Sequence, residues 1–177
     1  MTGNAATNPP AKPPAKFLRV RGFLYRLIGR VHPAKRQRIR YWAHAGLAYH
    51  GRMVYTDTAQ RAELFGRRRG KFLGAHADCS QYAATMAHWA GVPSVDASDW
   101  TGTLGKKGVA VQESDVKPGH YVFFGAPPYV HMGVMGRRRN VIGFGTQSGP
   151  DRNTLAALLA YFAGRGHPGH AFRDITR

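Results

Sequence analysis

Cysteine occurs once in this 177-residue chain, acidic residues nine times, and no acid precedes Asp57. A lone thiol excludes an intrachain disulfide and leaves no second sulfur for a cysteine-based zinc site. The nine histidines form no His-x-x-x-His pair. The closest spacing, His167-Pro168-Gly169-His170, falls in a Pro/Gly loop with no regular element to hold two ligands, so neither a metal nor an organic cofactor is expected. No apolar run approaches a membrane span, and the first residues lack the uninterrupted apolar stretch of a signal peptide. Helix-turn-helix, zinc-finger and RNA-recognition signatures are absent, as is a glycine-rich phosphate loop, so no specific nucleic-acid partner is expected.

What the chain does have is positive charge. Lys and Arg number 26 against the nine acids, a formal net charge of +17. The charge is uneven. Residues 1–56 hold 11 Lys or Arg and no acid, whereas residues 72–136 hold five acids and three Lys or Arg. Fields of this kind attract polyanions. Residues 1–16 are rich in Pro and Ala and read as an extended, solvated tail. From Phe17, the residues Val20, Leu24, Leu27, Ile28 and Val31 recur at helical spacing, with arginines elsewhere on the wheel, until Pro33 interrupts. Two expectations follow for this basic amphipathic helix. Either it lies on an anionic wall polymer or membrane surface, or its apolar stripe docks on the rest of the protein while the arginines stay wet. A second helix, residues 36–49, carries Ile39, Trp42, Ala43, Ala45 and Gly46 and is expected to pack behind the helix that follows Asp78.

That helix begins at the only cysteine. Asp78 is a good N-cap, and Cys79, Ala83, Met86, Ala87 and Ala90 make a core-facing stripe, closed by Gly91 and Pro93. Cys79 is thus expected in the first turn, where the helix dipole and free N–H groups favour the reactive thiolate and could hold an oxyanion. A lone cysteine is only a candidate nucleophile without a histidine. One is offered downstream. Val116-Lys117-Pro118-Gly119 reads as a turn, and three strands follow: residues 120–124, 130–135 and 141–146. In the middle one, His131, Gly133 and Met135 share a face, and Gly133 leaves room for close approach of a packed helix terminus. A strand histidine opposite a helix-start cysteine can take the thiol proton and return it to a leaving amine.

These residues resemble a known family. Asp78-Cys79-Ser80, the turn-strand run from Val116 to Gly125, and His131-Met132-Gly133-Val134 are similar to the NlpC-type cell-wall cysteine peptidases, most of all the peptidase domains of phage endolysins. The likeness also takes in residues 99–104 and 145–150. It implies an α+β papain-like fold with helices packed on a small antiparallel sheet, and hydrolysis of peptide bonds in peptidoglycan stems. By the same resemblance Asp78, Ser80 and Trp100 would bind substrate, and Tyr55 would assist the oxyanion site. It further implies a phage-encoded enzyme, made in a host cytoplasm and acting on the wall, or one carried in the virion.

The sequence departs from the family pattern at three points. Gln81 stands where a glycine is usual, His120 stands for the turn aspartate, and the third catalytic position falls on Gly143 or Phe144. With a loop over residues 137–140, Phe144 and Thr146 would share the face of His131, making Thr146 the expected orienting group. The expected organisation is an N-terminal extension over residues 1–40 and one monomeric peptidase domain over 41–177. Three functions remain open: a stem-peptide endopeptidase, an N-acetylmuramoyl-L-alanine amidase with the same Cys/His chemistry, and a non-catalytic basic binding or virion protein retaining the fold.

Overall fold

A computed structural model describes residues 15–145 and 149–177, with side chains from residue 20 onward. The proline-rich tail up to residue 14 and the expected orienter Thr146 lie outside the described residues. In chain order the helices are α1 (Ala15–Val31), α2 (Lys35–Gly46), α3 (Glu63–Gly66), α4 (Cys79–Trp89), α5 (Thr101–Leu104) and α6 (Leu155–Gly164). The strands are β1 (Val54–Tyr55), β2 (His76–Ala77), β3 (Val109–Val111), β4 (Tyr121–Phe124), β5 (His131–Met135), β6 (Asn140–Gly143), β7 (Asp151–Thr154) and β8 (His170–Asp174). Six of them form one antiparallel sheet in the order β3-β8-β4-β5-β6-β7, while β1 and β2 make a short parallel pair. This is the α+β papain-like arrangement, with helices packed on an antiparallel sheet.

The main core lies between the sheet and the pair α2–α4. Asp78 caps α4 by accepting from the Gln81 N–H at 2.6 Å, and Gly91 ends it with a left-handed φ of 81°. The 3.0 Å bond from Val92 N–H to Ala87 C=O closes that end in the manner of a Schellman turn. α4 is buried on nearly every side. Tyr82 donates to the Ala43 carbonyl at 2.8 Å, and Trp42 meets Trp89 edge-on at 5.3 Å. Gly46 makes this packing possible, since a Cβ there would fall 2.1 Å from the Tyr82 hydroxyl. α2 does pack behind α4, and it runs unbroken through residues 40 and 41, so the expected boundary there falls inside a helix whose Ile39 and Trp42 are both core. A second, smaller core covers the other sheet face, where Leu155 of α6 joins Val122, Phe124, Met135, Val141 and Phe172.

Three expectations need correction. The loop after β5 keeps the expected four residues but is shifted by one, to residues 136–139. Met135 pairs with Val141 and Gly133 with Gly143, and Asn140, expected in the loop, opens β6. A one-residue slip of register turns every side chain of a strand to the opposite face. Second, Asp151-Arg152-Asn153 do not cap α6 but form a strand with Thr154, and the Thr154 hydroxyl supplies the cap by accepting from Ala157 N–H at 3.2 Å. Third, the small residue at Gly133 accommodates a neighbouring strand and not a helix terminus. A Cβ there would lie 2.5 Å from the Val141 side chain and 3.1 Å from the Ile142 carbonyl.

Candidate functional site

Cys79 opens α4 and is buried, with 7% of its surface exposed. Its neighbours are tied down on both sides. The Asp78 carboxylate accepts from Ser80 Oγ at 2.7 Å as well as from the cap N–H, and its second oxygen takes Arg61 at 3.0 Å. Arg61 also donates to Ser80 Oγ at 3.3 Å. Arg61 thus joins both residues that the family resemblance assigns to substrate. No sequence signal pointed to it, because Arg61 sits in a short 3₁₀ turn (Ala59–Ala62) far from any motif.

Burial decides the state of the thiol. It pushes the Cys79 pKa up to about 12, with Asp78 adding to the rise and the backbone of Met132, Ser80 and Cys79 opposing it. The helix start was expected to favour thiolate. In the folded protein that contribution loses to desolvation and to the adjacent carboxylate.

His131 is the first residue of β5, paired in register with Phe124 of β4. Its ring stacks on Phe124 at 6.0 Å and on Phe162 of α6 at 5.3 Å. Burial lowers its pKa to about 4, against a smaller upward pull from Asp78. The resting pair is therefore a neutral thiol and a neutral imidazole. The Asp78 carboxylate acts on Cys79, on His131 and on Tyr55, which places all three within reach of one charge.

Tyr55 ends β1, and burial followed by Cys79, Asp78 and Asp57 raises its hydroxyl to about 12. Tyr55 and His131 line a cavity of about 470 Å³ together with Gly143, Gly145, Asp151 and Asn153. Trp100 is elsewhere. It lines a separate depression of about 440 Å³ with Tyr129 and the Pro127-Pro128 turn.

The third catalytic position is where the register matters. Because Gly133 pairs with Gly143, the residues on the His131 face of β6 and beyond are Val141, Gly143 and Gly145, the two glycines lying beside the ring. Phe144 does not share that face. It is fully buried against Tyr55 and Tyr82 in the main core. A Cβ on Gly145 would sit 3.1 Å from His131 Cε1 and 3.4 Å from Nε2, and one on Gly143 would sit 3.4 Å from Nε2. Backbone, not a side chain, faces the ring from β6. An acid on this face is Asp151 of β7, paired with Gly143 and lining the same cavity. Burial raises its pKa, while a bond to Asn153 and the field of His50 lower it. His120 is a structural group: it is buried at the start of β4, accepts from Lys117 N–H at 3.1 Å and faces Asp174 at 3.6 Å.

Among the described residues no cluster of three or more His, Cys, Asp or Glu could hold a metal ion, and no helix is long and apolar enough to cross a membrane. No family model and no curated protein matches the sequence. Solved structures do match the fold. The P60 domain of an antigen from M. avium subspecies paratuberculosis superposes with a TM-score of 0.54 at 11% identity, covering 81% of this chain and 99% of that one. The peptidoglycan hydrolase RipB from Mycobacterium tuberculosis superposes with a TM-score of 0.55 at 12% identity, covering 98% of this chain and 92% of that one. At such identities the likeness is one of fold: this chain has the papain-like α+β fold that those two proteins share.

Proposed function

We propose that this protein is a peptidoglycan hydrolase of the NlpC type, phage-encoded and endolysin-like, that cleaves stem-peptide amide bonds with Cys79 as nucleophile. The observation that carries this reading is a helix-start cysteine and a strand histidine, both within reach of the Asp78 carboxylate, in a fold shared with the hydrolase RipB. Cys79 Sγ attacks the stem carbonyl while its proton passes to His131, so that no free thiolate is needed at rest. The oxyanion is met by the Cys79 backbone N–H and the Tyr55 hydroxyl. His131 then gives its proton to the leaving amine as the C–N bond breaks, and a thioester remains. Water attacks the thioester, giving its proton to His131 and releasing the acid and the free thiol. In this reading Asp78 and Ser80 contact the substrate, with Arg61 as a competitor or a positioning residue for both. A basic N-terminal extension that anchors the enzyme on an anionic wall polymer or membrane surface completes the proposal.

The amidase reaction, between the lactyl group and the stem, uses the same steps. A non-catalytic role is favoured by one specific observation: glycines, not a polar side chain, face the His131 ring from β6. Incubation with purified peptidoglycan and mass analysis of the released fragments separates the three. Stem-peptide fragments from wild type but not from Cys79→Ala support the endopeptidase, and release of whole stems supports the amidase. No release from either protein would leave the binding role.

A further inference from the structure

The helix α1 docks with the wrong face for a buried amphipathic helix. Its contacts with the body use small and polar residues. A Cβ on Gly22 would lie 2.6 Å from Ala48 Cβ, and one on Gly29 would lie 3.1 Å from the Trp42 indole. Arg26 donates to the Tyr49 hydroxyl at 2.9 Å, and Tyr25 packs on Tyr41 and His44. The apolar side chains point the other way. Val20, Phe23, Leu24, Leu27 and Val31 fall on one stripe and are 49–72% exposed.

Cationic cavities flank this stripe on both sides. One, of about 570 Å³, meets α1 at Arg21 and Ile28 and is lined by Arg40, Arg137, Arg138 and Arg152 with no acid. None of these last four has a carboxylate partner among the described residues. Arg40 is only 5% exposed, and its Nε is buried without a hydrogen-bond partner. The crowding is felt by His44, whose pKa falls to about 4 through burial and then through Arg40, Arg152, Arg137 and Arg21. On the other side a cavity of about 600 Å³ is lined by Arg26, Arg52, Arg67 and Lys71 with no acid in its lining, Arg67 being already paired with Glu63.

We infer that α1 and its two flanking cavities form a docking face for an anionic phospholipid bilayer, with the apolar stripe inserted and lipid phosphates received by the arginines. This deepens the proposed anchoring role of the basic extension and rests on it, but not on the cysteine chemistry. A polyanionic polymer would fill the cavities and leave five apolar side chains in water. A second copy of this chain would bring its own +17 against a basic face. Only a bilayer with anionic headgroups satisfies both the stripe and the cavities.

The test is co-sedimentation of the full chain, carrying Cys79→Ala so that hydrolysis plays no part, with two kinds of vesicle. Vesicles of phosphatidylcholine containing phosphatidylglycerol should bind, pure phosphatidylcholine should bind far less, and rising salt should release the protein. Leu24→Ser with Leu27→Ser should weaken binding about tenfold or more, with an unchanged melting temperature. Arg137→Ser with Arg138→Ser should weaken it by roughly tenfold or more, as expected for two cations near an anionic surface. Equal binding to both vesicles would overturn the headgroup role, and insensitivity to the leucine variant would overturn insertion. Inorganic phosphate provides the remaining arm. If it raises the melting temperature through Arg137 and Arg138 while neither vesicle binds, the cavity takes free anions and the bilayer inference fails.

Discussion

Two helices, α1 and α4, carry apolar stripes of similar spacing, and the protein uses them in opposite ways. α4 turns its stripe inward and is buried on nearly every side, with the candidate nucleophile in its first turn. α1 turns its stripe outward and meets the body through Gly22, Gly29 and the flank of Trp42. The surroundings differ just as much. Cys79 and His131 sit under the influence of a carboxylate and are held neutral, whereas the α1 region is crowded with guanidinium groups. An apolar stripe therefore states that a helix has a face to cover. It does not say what covers it.

The sharpest break between the two regions is catalytic. Cys79→Ala should lower wall hydrolysis by about a thousandfold or more, as loss of a nucleophile does in enzymes whose residues act as a unit. His131→Gln should do nearly the same, and neither should move vesicle binding. Turbidity clearing of purified walls checks this, and full activity in Cys79→Ala would sink the nucleophile assignment.

Stability should divide along the same line. Trp42→Ala empties a fully buried site against Trp89 and should cost about 3–5 kcal/mol. Leu27→Ser, on the exposed stripe, should stay within about 0.5 kcal/mol. Denaturant unfolding reads both, and a large loss at Leu27 would mean that the stripe is covered by the chain itself.

Acid should weaken both regions through buried imidazoles. His131 and His44 are each lowered to about 4, so in the folded protein they stay neutral down to that pH. The unfolded chain takes up protons on these rings below about 6.5, so it binds more protons between pH 6.5 and 4, and stability falls as pH falls through that window. The effect should approach about 2–3 kcal/mol for each ring by pH 4. His44→Phe should flatten the melting temperature's dependence on pH while leaving hydrolysis unchanged at neutral pH. An equally steep profile in that variant would remove His44 from the account.

The smallest effect concerns Arg61. Arg61→Ala frees the outer oxygen of Asp78 and the Ser80 hydroxyl while the helix cap survives. Activity should change by roughly tenfold, the order expected for disturbing a residue that positions others. Its sign is informative: a fall in kcat marks Arg61 as a positioning residue, and a fall in KM marks it as a competitor for the substrate's place. No change in either would confine the ion pair to structure.

Much of the candidate site was legible in the chain itself. Asp78 before an apolar stripe locates the helix start, and alternation around Met132 locates the histidine strand, because capping and pleat periodicity are local properties. The sequence likewise determined that Cys79 is the sole thiol and that the basic charge lies outside residues 72–136. Tertiary structure decided the rest. The register of β6 turns on whether Gly136 belongs to a strand or a turn, and one residue exchanges Phe144 for Gly143 and Gly145 beside His131. Arg61 reaches Asp78 across 17 residues, a contact that no local pattern encodes. The protonation of Cys79 follows from burial, which the helix dipole alone could not forecast. The outward face of α1 follows from glycines that fit closely against Ala48 and Trp42, where a larger residue would have held the helix off. Local periodicity fixes which residues share a face, but only packing against the whole chain fixes where that face points.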